Sequence, residues 1–161
     1  MMDHTLYARL LSVHSLWRWV VLLVLLAALV RALSARLRRQ PAGPLDRRLG
    51  LAAMIAVDLQ LLTGIVLYAG VSPLTRAALS NFGAAMRVRG LRFWAVEHLA
   101  LMLAAVVVLH VGQRLTRRVA ADRPEQQQQR TLVTLAVTLL LILAAIPWPF
   151  LVAEVARPLW R

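Results

Sequence analysis

The sequence predicts an all-α protein, a four-helix transmembrane bundle with a short interfacial helix between its second and third spans. Three observations carry that expectation. The chain of 161 residues is 60% hydrophobic, well above the ~45–50% of soluble domains, and its mean hydropathy is +0.68. Four apolar runs are each long enough for the ~20 residues that cross a hydrocarbon core of ~30 Å. The basic charge, all of it arginine, gathers in the connectors between those runs.

The runs fall at about 6–33, 49–71, 93–115 and 131–154, in one domain. Each must be helical, because an unpaired backbone polar group in lipid costs several kcal/mol. The first run continues past signal-peptide length and is expected to be a retained anchor. The connector SARLRRQPAGPLDRR holds five arginines together with Pro41, Gly43 and Pro44, which end one helix and start the next. The connector QRLTRRVAADRPEQQQQR is also basic, and its glutamine run is expected to be solvated. Both should be cytoplasmic by the positive-inside tendency, with both termini on the periplasmic side of a bacterial inner membrane. Between them SPLTRAALSNFGAAMRVRGLR has the spacing of a short helix on the outer surface. Pro147 and Pro149 in IPWPF should kink the fourth helix near its outer end, Trp160 should anchor the chain at the interface, and Glu154 should snorkel to the outer surface.

The net charge of +12 flanks apolar runs and does not form a stripe beside aromatic readers, which points to lipid headgroups and excludes a nucleic-acid partner. There is no cysteine, so disulfides, thiolate metal sites and covalent haem attachment are excluded. Any haem would be held non-covalently. No nucleotide-binding glycine loop and no zinc-protease motif is present.

Ionisable and polar groups inside spanning helices are costly and therefore mark candidate sites. They are His14 and Arg18 in the first helix, Asp58 and Gln60 in the second, and Glu97, His98 and His110 in the third. At ~1.5 Å per residue, His14 and His98 both lie ~8–12 Å beneath the outer face, and Arg18 and Asp58 both lie ~18 Å in. His14 and Arg18 share a face at a spacing of four. Trp94, His98 and Met102 share a stripe, while Glu97 points ~100° away from His98 and His110 is turned ~120° from it.

Two histidines at one depth on two helices match a bis-imidazole b-type haem in a bundle core, His14 and His98 being the iron ligands, with Trp94 and Met102 on the ligand face and Arg18 pairing a propionate or Asp58. A second reading makes the same groups interhelical glue, His14 on Glu97 and Arg18 on Asp58. A third is a zinc or copper site of His14, His98 and Glu97. His110 is expected to be an interfacial histidine near Gln113 and Arg114. Gln60, Gly64 and Tyr68 form a stripe that either packs or admits a quinone headgroup.

HSLWRW, DLQLLTGIVLY, FWAVEH and IPWPF, taken in order, give the chain a resemblance to small bacterial four-helix integral membrane proteins labelled cytochrome-b-like. It covers nearly the whole chain. The resemblance implies haem b and membrane electron transfer, and maps onto His14, His98 and a possible secondary ligand in His110. Asp58 stands where the resemblance leads one to expect a second-helix histidine, so one haem in the outer half is expected. The expected function is a membrane-bound b-type cytochrome-like electron-transfer protein or subunit, working with a quinone or a larger respiratory or photosynthetic complex. The alternative is a non-catalytic accessory subunit packing against such a complex.

Overall fold

The computed structural model describes residues 2–120, 122–150 and 155–156. It is a four-helix bundle with no strand among these residues. The long helices are α1 (Met2–Leu37), α2 (Pro44–Val66), α6 (His98–Arg117) and α7 (Pro124–Ala145). Between α2 and α6 lie the short helices α3 (Pro73–Ser80), α4 (Phe82–Ala85) and α5 (Arg89–Arg92), flanked by two π-helical turns at Leu67–Val71 and Phe93–Glu97. The expected interfacial helix is thus three short ones. α1 packs on α2 and α7, and α6 on α7 and α2, so the long helices close a ring of antiparallel neighbours.

Among the described residues four segments are long and apolar enough to cross a membrane, at 5–37, 44–71, 89–117 and 124–145. The protein is multi-pass, and its packing suits lipid. Leu16, Leu23, Leu26, Val30, Leu62, Val107, Val111 and Leu140 are exposed, whereas the buried layer is rich in small residues such as Ala28, Ala32, Ala53, Ala56, Ala105 and Ala145. In a bilayer, helices associate by close backbone approach where small residues meet. Gly112 is the sharpest case, since a Cβ there would collide with the Thr134 side chain on α7.

Helix ends depart from the expected boundaries for local reasons. α2 starts five residues early, at Pro44, because proline suits the first helical position and Asp46 accepts the Gly43 N–H at 2.7 Å. Asp46 also pairs with Arg31 at 3.2 Å. α1 runs on to Leu37 and closes with Arg39 in the left-handed region at φ 52°, Gln40 N–H donating to the Ala35 carbonyl at 2.9 Å. α7 begins at Pro124 and ends at Ala145, earlier than expected. Proline 147 pushes Ile146 out of the helical region to ψ 129°, as the residue before a proline is disfavoured there. The prolines therefore stop the helix where a kink was expected. The glutamine run is not all solvated either: Gln128 is buried and donates to the Gln40 carbonyl, tying the first connector to α7. Glu154 and Trp160 lie outside the described residues.

Candidate functional site

A cavity of about 130 Å³ runs inside the half of the bundle that holds the N-terminal turns of α1. At ~30 Å³ per water, it has room for about four. α1 contributes Tyr7, His14 and Arg18, α2 Gln60 and Gly64, and the third span Trp94, His98 and Met102. Tyr68 and Ser72 also line it, as do Ile142 of α7 and Ile146 and Pro147 just beyond that helix. All five residues expected at a haem site line this one space.

The two imidazoles are neighbours. Their ring centres are 6.4 Å apart with planes at 70°. Metal–nitrogen bonds of about 2.0–2.1 Å, with roughly 1.1 Å from each nitrogen to its ring centre, would set bridged imidazoles about 6.3 Å apart. The ring-centre distance is close to that of such a pair, with the planes in an edge-to-face arrangement.

Hydrogen bonds define which nitrogen of each ring carries the proton. His98 Nδ1 lies 2.8 Å from the Ala145 carbonyl, an obligate acceptor, so Nδ1 is the donor and Nε2 keeps its lone pair. No hydrogen bond engages that Nε2 among the described residues. His14 Nδ1 is 3.1 Å from Thr63 Oγ1. The Thr63 hydroxyl donates to the Leu59 and Gln60 carbonyls, each at 3.0 Å, so it must accept from His14. His14 Nε2 then also carries a lone pair, which takes a hydrogen bond from the Gln60 amide at 3.1 Å. Ligating histidines commonly have the other ring N–H on an oxygen acceptor in this way.

The surroundings hold these rings in place. Gly64 lets α2 close onto His14, a Cβ there lying 3.1 Å from the ring Cε1. The Gln60 amide also donates to the His14 carbonyl at 3.1 Å, and the Trp17 indole donates to the Ala56 carbonyl at 2.9 Å, fixing α1 against α2. Trp94 packs beside His98 with ring centres 5.5 Å apart. The Tyr68 hydroxyl donates to the Ala95 carbonyl at 2.9 Å, joining the two π-helical turns. Such turns recur where a helix carries a functional group. Arg18 is buried, 8% exposed, one turn inward of His14 and with its guanidinium 5.4 Å from the Trp19 ring centre.

Two expected pairings are corrected. Asp58 does not meet Arg18; its carboxylate is 2.9 Å from His110 Nε2. Gln60 faces α1, and a residue two positions away is turned ~200° from it, so Asp58 looks toward the α2–α6 groove. His110 accordingly has a carboxylate partner and does not line the cavity. Glu97 does not meet His14 but pairs with Arg92 at 2.6 Å, across the π-helical turn. That removes the carboxylate from the three-ligand metal alternative, and no cluster of three or more His, Cys, Asp or Glu suited to a metal occurs among the described residues.

Thr63 and the Ala145 carbonyl are site members that sequence reasoning missed. Thr63 lies three residues after Gln60, a signal that was available; a backbone carbonyl carries none. No protein-family model matches the chain, and comparisons with curated proteins and with solved structures also give no match.

Proposed function

We propose that the protein is a b-type cytochrome-like electron-transfer protein or subunit of a bacterial inner membrane, holding one haem between α1 and α6 through His14 and His98. The observation that carries this reading is the imidazole pair: ring centres 6.4 Å apart, with both Nδ1–H groups bound by oxygen acceptors, so that Nε2 carries the lone pair in both rings, that of His14 being engaged by the Gln60 amide. Arg18 offers a buried cation for a propionate, and Met102, Ile142 and Ile146 offer apolar wall. A porphyrin exceeds the present cavity of about 130 Å³, so its entry would require the walls to part. Gln60 must release His14 Nε2 for coordination. Bound there, haem supplies one-electron redox chemistry.

The positive-inside tendency of the arginine-rich connectors favours both termini on the periplasmic side; in that orientation the cavity lies in the half of the membrane where a quinol or a periplasmic redox protein exchanges electrons. Expression of the full chain with ample haem, purification in mild detergent and a reduced-minus-oxidised spectrum test the proposal. A b-type band is the expected result; a folded protein without one overturns it.

The second reading, a non-catalytic accessory subunit of a larger membrane complex, is favoured by the hydrogen bonds of Gln60 to both the ring and the carbonyl of His14, which suit interhelical glue. On that reading no haem is retained and loss of Gln60 weakens the fold.

A further inference from the structure

A second polar site, remote from the imidazole pair, opens at the opposite end of the bundle between α2 and α6. Its volume is about 480 Å³, and Arg114, Arg117 and Arg118 line it with His110, Gln113 and Met54. Arg114 and Arg117 on the closing turns of α6 and Arg118, which caps it, stand at spacings of three and four, so they share one face. None forms an ion pair within 4.0 Å among the described residues. They are not needed to cap the end of the helix at Leu115 either, because Arg130 from α7 donates to the Leu115 carbonyl at 3.2 Å.

Three guanidiniums without carboxylates make a site for an anion with several oxygens, above all a phosphate. Their height narrows the choice, since Arg117 is the last residue of its membrane span and so lies at headgroup level. Met54 and Val111 give the same pocket apolar wall, and on the adjoining turns Leu51 and Ile55 of α2 and Val107 of α6 are all at least half exposed. His110, which lines the pocket, and its partner Asp58 are both 40% exposed and offer polar groups that an occupant would shield from bulk lipid.

We infer that this pocket binds an anionic phospholipid, the phosphate on Arg114, Arg117 and Arg118 and an acyl chain in the groove between α2 and α6. Basic pockets between spanning helices suit such headgroups, and the apolar groove distinguishes a lipid from free phosphate.

Native mass spectrometry of the full chain, with phosphatidylglycerol, phosphatidylcholine or inorganic phosphate added, tests the inference. Phosphatidylglycerol is expected to bind at a stoichiometry of one, with phosphatidylcholine and inorganic phosphate failing to displace it. The triple variant Arg114→Gln, Arg117→Gln, Arg118→Gln is expected to bind it roughly a hundredfold more weakly, at ~1 kcal/mol per arginine. An Arg38→Gln, Arg39→Gln, Arg47→Gln control, altering another basic cluster at the same end, should bind as the parent does. Equal loss in the control, undiminished binding in the triple variant or displacement by inorganic phosphate would each overturn the inference. Should the triple variant not fold, single substitutions are used; each should weaken binding about fivefold, and unchanged binding in all three overturns it.

Discussion

Gly64 on α2 passes so close to His14 on α1 that a Cβ at position 64 would sit 3.1 Å from the imidazole Cε1. The glycine is there for space, since its backbone is ordinary helix. Gly64→Ala should need a ring shift of a few tenths of an ångström, and Gly64→Val should displace the imidazole from its place beside His98. The expected outcome is a weakened b-type band in the first variant and none in the second, with helical circular dichroism retained. An unchanged spectrum in Gly64→Val would separate the band from His14.

The histidines themselves should sort into two classes. His14→Ala and His98→Ala are each expected to abolish the band, while His110→Ala leaves it, because His110 lies on Asp58 outside the cavity. Difference spectra of the three purified variants check this, and a band lost only in His110→Ala would reverse the ligand assignment.

Gln60 and Thr63 both bond the His14 ring but should act in opposite directions. Thr63→Val removes the acceptor that holds the Nδ1 proton, and loss of such a partner typically lowers metal affinity about ten- to a hundredfold. Gln60→Leu removes the donor that occupies Nε2, so haem occupancy should stay level or rise. Haem titration of both apoproteins reads the difference. If Gln60→Leu instead unfolds the bundle with no haem bound to parent protein, the accessory-subunit reading prevails.

The seam between α6 and α7 has no room at Gly112, where an added Cβ would be 2.8 Å from the Thr134 Cβ and closer still to the rest of that side chain. Gly112→Ala should destabilise the protein by about 1–3 kcal/mol, the usual range for overpacking. Adding Thr134→Ala should recover part of it by removing the hydroxyl and methyl. Thermal or denaturant unfolding in detergent measures both, and additive losses would show that the two positions do not share this contact.

His110 and Asp58 are half exposed as well as 2.9 Å apart, which limits what their pairing contributes. A double-mutant cycle should give a coupling of roughly 0.6 kcal/mol and not above about 1.7, as for other polar pairs in membranes. The matching cycle between Arg18 and Asp58 should give nothing measurable. Coupling in the second cycle and none in the first would restore the pairing that depth alone implied.

The four spans, the connectors and the candidate histidines were legible in the sequence because each depends on a one-dimensional quantity. Apolar length sets which segments can cross lipid, proline and glycine punctuate them, and a buried ionisable group stands out by its cost wherever it packs. Depth, counted along a helix, correctly put His14 and His98 at one level. Partner choice was not legible in the same way, since two groups at one depth can still face opposite sides of their helices. Asp58 and Gln60 are two residues apart and serve different helices, His110 and His14 respectively. Glu97 was carried to Arg92 across a π-helical turn, a local change in winding that shifts every angle counted from an ideal helix. The Ala145 carbonyl joined the site only because Pro147 ends α7 just past it, releasing the last carbonyls of the helix to face His98. Composition and length thus determined what kind of protein this is. Which side chains meet was decided by helix rotation, close approach at glycines and the points where helices stop, because those depend on all four helices packing at once.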